Sequence, residues 1–235
     1  MECTLAASLL GLGTGAKGRR YWQGPGWYRR QLDVGALQQS KRYFIKFEAA
    51  GSVADVYLNG KWLGQHRGAF GAFCFELTTN LSASATNLLA VRVSNVPEPD
   101  ITPLSGDFPV YGGLYRPVHL ITTELQNVTL TDHGSPGVAW LQTTVTSTQA
   151  VLDVTAQIFN GARKQQPMTV SARLLDMHGN EVTNVSEKIV LDPLYNQPVS
   201  LKITASTATR TGRTRAGQFP MPTWTRTWRC SMNSA

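Results

Sequence analysis

Few residues of this 235-residue sequence have the types and spacing that enzyme chemistry requires. The four histidines lack the short spacings of metal ligands, and no serine–histidine–aspartate arrangement can be assigned from the sequence. The three cysteines, Cys3, Cys74 and Cys230, lie too far apart for a zinc cluster, and their odd number indicates free thiols. The glycine-rich run 11–15 lacks the preceding strand and the Lys-Ser/Thr pair of a phosphate-binding loop. We therefore expect no cofactor and no metal site.

The formal charge of +7 is concentrated at the two ends of the chain. Residues 1–30 contain five basic residues and one acidic residue, and residues 205–235 contain five arginines and no acidic residue. The 174 residues between them carry 12 basic and 14 acidic side chains. A folded nucleic-acid-binding domain carries its basic residues on its own surface, so we expect no nucleic-acid partner.

Membrane insertion and secretion are also not indicated. No stretch approaches the roughly 20 consecutive apolar residues of a transmembrane helix, so we expect no membrane partner. The apolar run Leu5–Leu12 has the length of a signal-peptide core, but Glu2 stands where a basic residue would be expected. No small-residue cleavage pattern follows this run, and the sequence leaves the compartment unknown.

The elements that must position any functional residue are predicted to be β-strands. From Tyr28 to about Thr204, apolar and polar residues alternate with period two between turns rich in glycine, proline and asparagine. The Asn59-Gly60 pair between two short apolar runs predicts a hairpin, because both central positions of such a turn favour positive φ. Further strands are predicted at Phe73–Leu77, Leu88–Val93 and Arg116–Ile121. The sequence therefore predicts an all-β sandwich.

A second sandwich is predicted to begin near Leu125. Apolar residues alternate with polar ones from Leu152 to Ile158 and again from Met168 to Leu174. The turns between these runs have the spacing of immunoglobulin-like sandwiches, and about six strands fit within 125–204, one fewer than the usual seven. The predicted segments are an irregular N-terminal segment (1–20), two sandwich domains (21–123 and 124–204) and a basic, poorly ordered tail (205–235).

Four stretches of the sequence carry a family resemblance. They are Gly24–Arg30, Val56–His66 within the longer run Phe47–Leu77, Asn87–Val93 and Gly112–Val118. In this order and spacing they resemble the N-terminal region of family 2 glycoside hydrolases, the β-galactosidase and β-glucuronidase group. The resemblance implies a sugar-binding jelly-roll domain over 21–123, followed by an immunoglobulin-like domain over 124–204.

The resemblance implies that catalysis needs a third domain, a barrel with two glutamates about 5–5.5 Å apart that act as acid/base and nucleophile. This barrel would begin where the present sequence stops. The glutamates of the sequence are scattered over predicted strands and turns: Glu48, Glu76, Glu98, Glu124, Glu181 and Glu187. We therefore interpret the chain as a truncated, non-catalytic part of a β-galactosidase-like enzyme, and we expect no catalytic residue and no activity from it alone.

One loop of the resemblance implies substrate contact. β-Galactosidase-like members carry an aspartate before the Gly-Gly-Leu-Tyr-Arg motif, and this aspartate reaches the barrel and helps to hold the sugar and a sodium ion. The corresponding loop here spans residues 98–108, with Asp100 as the first match and Asp107 as the second; the spacing differs by about one residue. The alternative for both is a turn or an Asx cap in a proline-rich loop.

The aromatic residues of the first sandwich have two interpretations. Trp27, Tyr28, Tyr57, Trp62 and Phe73 are large apolar side chains that suit a jelly-roll core, and we interpret them as core. Stacking on a sugar ring is the alternative. A solvent-facing row of aromatic residues near Asp100 would favour a stand-alone carbohydrate-binding module, whereas the same residues buried would favour a family 2 fragment or a structural sandwich.

Two further local expectations concern charge and backbone. Arg29 and Arg116 are expected to lie along apolar surface or to pair with carboxylates such as Asp55 or Glu76. The Gly112-Gly113 pair predicts a close approach of the backbone that a Cβ atom would prevent.

Both ends of the sequence differ from the family pattern. Residues 1–17 contain nothing similar to the usual first strand, and residues 218–224 replace the expected Leu-Trp-Ser-Pro-type strand. The codons that could encode the residues from Ala216 onward, read with a shift of one base, allow Trp-Ser-Val-Pro-Asn-Ala-Tyr-Leu-Asp among other sequences. This sequence is close to the missing strand, so one interpretation of the tail is a frameshift product. Truncation would expose apolar surface, and we expect poor solubility or self-association.

The leading hypothesis is therefore a non-catalytic part of a family 2 glycosidase that supports substrate binding and assembly. Its expected partner is a carbohydrate, and a galactoside in particular. The alternatives are a stand-alone carbohydrate-binding module and a structural sandwich that binds no sugar.

Overall fold

The computed structural model describes residues 2–3, 23–83, 86–102, 104, 112–146, 148–176 and 178–206. Fourteen strands and one short 3₁₀ turn make up its regular structure, which confirms the predicted all-β class. The chain divides into two compact units, one formed within Met1–Leu125 and Leu130–Ser135, the other within Gln126–Thr129 and Pro136–Ala235. Asp107 and residues 207–235 of the predicted tail lie outside the described residues, whereas its first two residues, Ala205 and Ser206, belong to the last strand.

The first unit contains eight strands in two four-stranded antiparallel sheets. The strands are β1 (Glu2–Cys3), β2 (Pro25–Leu32), β3 (Lys41–Phe47), β4 (Val53–Leu58), β5 (Lys61–Arg67), β6 (Phe73–Glu76), β7 (Asn87–Ser94) and β8 (Val118–Glu124), and the 3₁₀ turn is Thr78–Asn80. The sheet orders are β1-β8-β3-β6 and β2-β7-β4-β5. This architecture agrees with the predicted sandwich.

Alternate residues of the two sheets form one apolar core. In the sheet β2-β7-β4-β5, Tyr28 lies opposite Val91, and Val91 lies opposite Val56; all three are buried. Phe47 and Phe73 of the other sheet stack with ring centroids 4.6 Å apart. Each buried side chain of this size contributes about 1.5–3 kcal/mol to folding, so the core fixes which face of each strand points to solvent.

The Asn59-Gly60 hairpin is confirmed. Asn59 has φ 53° and Gly60 has φ 79°, the positive values that a tight two-residue turn requires. The Asn59 side chain donates to the main-chain oxygen of Asn80 and accepts from the amide of Leu88, both at 2.9 Å. The turn is therefore bonded to the strand β7 as well as closing β4 and β5.

The close approach predicted at Gly112-Gly113 is also confirmed. Gly113 has φ 84°, and a Cβ atom at this position would overlap the hydroxyl of Tyr28. A Cβ atom on Gly112 would lie 2.7 Å from the side-chain nitrogen of Asn95. The amide of Leu114 donates to the Tyr28 hydroxyl at 3.3 Å, so the backbone passes directly against this buried ring.

The second unit contains the six strands that the sequence predicted, in two sheets. The strands are β9 (Gln126–Val128), β10 (Val138–Val145), β11 (Gln149–Asn160), β12 (Gln166–Leu175), β13 (Glu181–Leu191) and β14 (Tyr195–Ser206). One sheet has the order β10-β11-β14, with β9 also paired to β11, and the other consists of β12 and β13. Its buried core comes mainly from β11, β12 and β14.

Candidate functional site

The candidate site is the outward side of the sheet β2-β7-β4-β5, where directly opposed residues form rows across the strands. The first of these rows is mainly polar. Trp27 lies opposite Arg92, Arg92 opposite Asp55, and Asp55 opposite Gln65. Directly opposed residues of antiparallel strands point to the same side of a sheet. Because the neighbouring row of Tyr28, Val91 and Val56 points into the core, this row points away from it.

The second row of this side is aromatic. Arg29 lies opposite Ala90, Ala90 opposite Tyr57, and Tyr57 opposite Trp62. The strand β7 lies between β2 and β4, and the rings of Trp27 and Tyr57 approach each other from these two strands, with centroids 5.7 Å apart and planes inclined at 38°. We call Trp27, Tyr57 and Trp62 the aromatic face.

The core interpretation was wrong for two of the five aromatic residues. Trp27 is 50% exposed and Trp62 is 61% exposed, whereas Tyr28 and Phe73 are buried as predicted. The physical reason is the period of two: once Tyr28 fills the core, its neighbour Trp27 must point to the other side. Tyr57 is half-buried beside Trp27.

A buried carboxylate lies in the middle of the polar row. Arg92 donates from Nη1 to Oδ2 of Asp55 at 3.0 Å, and Gln65 donates from Nε2 to Oδ1 at 2.7 Å. Both oxygens of Asp55 therefore have fixed donors, as a buried charge requires. The sequence contained a usable signal, because counting back from the Asn59-Gly60 turn places Gln65 near Asp55.

The predicted partners of the two carboxylates were different from those observed. Asp55 pairs with Arg92 rather than Arg29, which lies one row away. Glu76 pairs with Arg42 on the adjacent strand, through bonds of 3.1 and 2.7 Å. The guanidinium of Arg116 lies 5.8 Å from the centroid of the Tyr115 ring, in agreement with its expected place along apolar surface.

Asp100 lies at one end of the candidate site, where Arg67 holds it. Arg67 donates to the two carboxylate oxygens of Asp100 at 2.7 and 3.3 Å, and its guanidinium also lies 3.6 Å from Glu98. The hydrogen bond from Arg67 lowers the pKa of the Asp100 carboxyl below its usual value of 3.8. Asp100 is therefore a fixed, ionised and exposed carboxylate.

Asp100 and the aromatic face occupy different parts of the outward side. Trp62 and Arg67 lie opposite Tyr57 and Val53, which are four positions apart on β4, or about 13 Å along the strand. A row of exposed aromatic residues is present, but it is not adjacent to Asp100. The second predicted residue, Asp107, lies outside the described residues.

Two titratable side chains of the first unit, those of His66 and Cys74, are packed against neighbouring residues, whereas His119 lies 3.4 Å from Glu48. His66 stacks on Phe73 with centroids 4.1 Å apart, and burial lowers the pKa of the imidazole below 6.5. Burial raises the pKa of the Cys74 thiol to about 12. Within the described residues, no cluster of three His, Cys, Asp or Glu side chains could hold a metal ion, and no helix could span a membrane.

Comparison with known families agrees with the geometry of the first unit. The family profile described as "Glycosyl hydrolases family 2, sugar binding domain" matches residues 16–124. The chain carries a glycosyl hydrolase family 2 sugar-binding domain. The family 2 domain thus includes the whole outward side with the aromatic face and Asp100.

Individual relatives of this family 2 domain are glycosidases. A β-glucuronidase of Bacteroides fragilis is 35% identical over 187 residues, which cover 77% of this chain and 26% of that enzyme. A β-galactosidase of Bacteroides ovatus is 31% identical and is matched over 68% of this chain and 18% of its own length. The chain thus spans about a quarter or less of these relatives, and it matches their non-catalytic, sugar-binding N-terminal part.

Solved structures give the same assignment. The crystal structure of a putative β-galactosidase from Bacteroides fragilis has a TM-score of 0.76 and 34% identity, covering 80% of this chain and 28% of that one. A Bacteroides uniformis β-glucuronidase has a TM-score of 0.73 and 34% identity, over 79% of this chain and 22% of that one. The structural match, over about four fifths of this chain, therefore extends beyond residues 16–124, which the profile matches.

Proposed function

We propose that the outward side of the sheet β2-β7-β4-β5 binds a carbohydrate, and that the ligand is a galactoside. The supporting observation is that Trp27 and Trp62 expose half or more of their surface on the same side as the Asp55–Arg92 pair. The electron-rich face of an indole attracts the C–H groups on one face of a pyranose ring. Fixed polar groups beside an apolar platform then orient the hydroxyl groups of the ligand.

We propose a supporting role for this domain in a longer protein. The parent is a β-galactosidase-like family 2 glycosidase that hydrolyses O-glycosyl bonds in carbohydrate metabolism, as the relatives named above suggest. The proposed functional division is a sugar-binding domain over 21–123 and an immunoglobulin-like domain over 124–204. The two compact units support this division.

Asp100 and Asp107 are the proposed substrate-contacting aspartates of the loop. The exposure and ionisation of Asp100 support this role, since a carboxylate accepts hydrogen bonds from sugar hydroxyl groups. Asp100→Asn and Asp107→Asn should each weaken galactoside binding. If neither changes the dissociation constant, the loop has no part in the site.

The test is a calorimetric titration of the full chain with lactose and with methyl β-galactoside. We expect saturable binding that Trp27→Ala and Trp62→Ala each weaken by tenfold or more. Trp140→Ala is the matched control, because Trp140 is about equally exposed but belongs to the second unit. Binding that the control weakens as strongly, or no binding to any sugar, would overturn the proposal; the second result would leave a structural sandwich.

A glucuronide is the second candidate ligand. The exposed Arg29 lies in the aromatic row, where its guanidinium could pair with the carboxylate of the sugar, and the Bacteroides fragilis relative is a β-glucuronidase. Parallel titration with methyl β-glucuronide decides between the two ligands. Tighter binding of the glucuronide, lost in Arg29→Ala, would replace the galactoside.

Self-association is a separate proposal. Exposed apolar side chains of the first unit, among them Trp62, Phe70 and Leu88, would lose contact with water in an oligomer. Sedimentation velocity at several protein concentrations should give a mass that rises with concentration. A monomer mass that stays constant up to high concentration would contradict it.

A further inference from the structure

The aromatic face crosses the whole width of its sheet. Trp27 lies on β2 and Trp62 lies on β5, and these are the two outermost strands of the sheet β2-β7-β4-β5. Tyr57 lies between them on β4. Neighbouring strands are about 4.8 Å apart, so the aromatic face extends over three strand spacings, or about 14 Å. It therefore has the shape of a strip across the strands.

This strip is longer than a single sugar. Its two ends are the exposed side chains of Trp27 and Trp62, and the half-buried ring of Tyr57 connects them. A pyranose ring stacks on one aromatic ring at a time. One unit of an extended glycan advances by about 5 Å, which is close to the spacing of neighbouring strands. About three linked units are therefore needed to contact all three aromatic residues together.

Both ends of the strip are open. In the described part of the chain, β2 pairs with β7 and β5 pairs with β4, and neither has a strand on its other side. The sheet therefore ends just beyond Trp27 and just beyond Trp62, and both side chains expose half or more of their surface. A glycan that lies on the strip can continue past both edges of the sheet. This arrangement favours an internal segment of a chain over a chain end.

The strip is twisted, which narrows the kind of glycan that fits it. Adjacent strands of a sheet are rotated relative to one another, and the ring planes of Trp27 and Tyr57 are inclined at 38°. A β-1,4-linked glucan is a flat ribbon whose successive rings share nearly one plane, so it cannot lie flat on both rings. In a β-1,4-linked galactan, the axial oxygen at C4 turns each unit relative to the one before. The inclination therefore favours the galactan.

Polar groups lie on both sides of the strip. Gln65 donates its Nε2 hydrogen to Asp55, so its carbonyl oxygen is left as an acceptor for a sugar hydroxyl group. Arg92 lies on the same side and carries more N–H donors than its bond to Asp55 uses. The exposed Arg29 lies on the opposite side, in the row of Tyr57. Hydrogen bonds to more than one unit of a bound glycan are thus available.

We propose that the aromatic face binds an internal segment of a β-1,4-linked galactan, about three units long, which crosses all four strands of the sheet. This inference rests on the carbohydrate site proposed above and specifies its ligand. Each unit after the first adds contacts without the cost of a separate association, because it is already linked to a bound unit. Affinity therefore rises with chain length until the strip is covered.

The test is calorimetric titration of the full chain with β-1,4-linked galactose oligomers of two to five units, and with glucose oligomers of the same lengths and linkage. The galactose oligomer of four units should bind at least tenfold more tightly than that of two units, and a fifth unit should add less than twofold. The matched glucose oligomers should bind at least tenfold more weakly. Equal affinity for the two sugars would overturn the inference.

Two results separate this inference from the proposed function on which it rests. Binding of lactose and of the two-unit and four-unit galactose oligomers with affinities within twofold would overturn the inference and leave a site for a single galactoside. No binding of any galactose-containing ligand would overturn both.

Two exposed residues on the same side of the sheet provide matched variants. Trp62→Ala removes one end of the strip and should reduce the gain in affinity between two and four units to threefold or less. Leu88→Ala is the control, because Leu88 lies opposite Gln31, beyond the row of Arg29 and Tyr57, and should retain the full gain. Both side chains are exposed, so both variants are expected to fold. Equal gains in the two variants would overturn the inference.

The stoichiometry on a long galactan tests whether the segment is internal. Titration with a galactan of about a hundred units should give many bound protein molecules per chain. One or two protein molecules per chain would mean that the site recognises chain ends, and this would overturn the inference. A dimer that dissociates in Trp62→Ala, together with no binding of any galactan, would assign the aromatic face to a second copy of the protein and would also overturn it.

Discussion

The guanidinium of Arg92 donates a 3.0 Å hydrogen bond to Asp55, a carboxylate on the outward side of its sheet of which only 10% is exposed. Arg92 itself is 37% exposed, so one partner of the pair is buried and the other is within reach of solvent. A carboxylate of this kind depends on its donors, because burial of an unpaired charge is costly.

Replacement of Arg92 should destabilise the first unit. Arg92→Ala leaves Asp55 with Gln65 as its side-chain donor, and we expect a loss of about 1–3 kcal/mol in the free energy of unfolding. Urea denaturation measures this loss. The control is Arg29→Ala in the next row of the same side, which should change stability by about 0.5 kcal/mol or less. Equal losses in the two variants would show that the Asp55–Arg92 pair contributes no more to the free energy of unfolding than the exposed Arg29 does.

Replacement of Gly113 should be more damaging than replacement of an equally left-handed glycine in open space. Gly113→Ala combines a positive φ with overlap of the Tyr28 hydroxyl, and we expect a loss of about 2–4 kcal/mol. Gly35→Ala, with φ 61° and no atom within 4 Å of the new Cβ, should lose only about 1–2 kcal/mol.

The overlap at Gly113 can be tested by removing the atom that causes it. Tyr28→Phe deletes the hydroxyl, so its combination with Gly113→Ala should be less destabilised than the sum of the two single variants. Additive losses, measured by urea denaturation, would place the strain in the backbone alone.

Acid should destabilise the first unit through His66. Its Nε2 atom is buried without a hydrogen-bond partner in the described structure, and burial lowers the pKa of the folded state below the usual 6.5. The unfolded chain therefore binds the proton more readily, and stability should fall as the pH drops through 6.5 toward the folded-state pKa. The effect should be absent at pH 8.

The contribution of His66 can be isolated with His66→Phe, which keeps a ring against Phe73 but cannot titrate. Thermal unfolding at pH 8 and pH 5.5 should show a smaller decrease in Tm for this variant than for the natural chain. His178→Ala, in an exposed turn, is the control and should behave like the natural chain. Identical decreases in all three proteins would remove His66 as the cause.

Cys74 should be unreactive in the folded state. Burial raises the pKa of its thiol to about 12, so almost no thiolate is present at neutral pH. In a chain with Cys3→Ser and Cys230→Ser, iodoacetamide should modify Cys74 only after urea unfolds the first unit. Rapid modification in the absence of urea would mean that β6 unfolds locally and exposes the Cys74 thiol.

Local signals in the sequence predicted local geometry well. The Asn59-Gly60 turn and the Gly112-Gly113 approach follow from residue types that few other backbone conformations favour. It was harder to predict which of the alternating residues of β2 face the core, because Trp27 and Tyr28 are both large and apolar. The core decides between them, and which of the two fills it depends on strands that are distant in the sequence.

The partner of Asp55 also could not be predicted from local sequence. Arg92 is 37 positions away, and its place opposite Asp55 depends on the pairing of β4 with β7, strands that are not consecutive in the chain. By residue type alone, Arg29 was an equally suitable ion-pair partner for Asp55. Asp100 was predicted as a site residue, but its bond to Arg67 was not, since a loop conformation sets it.

The pairing of β2 with β7 also determines when the aromatic face can exist. Trp27 is synthesised 65 residues before Arg92, its opposite residue in the sheet. At about 5–20 residues per second, a nascent chain spends roughly 3–13 seconds with Trp27 already made and its neighbouring strand still absent. Non-local strand pairing of this kind is intrinsically slow to form. During this interval the nascent chain contains Trp27 but lacks the strand β7, with which β2 pairs.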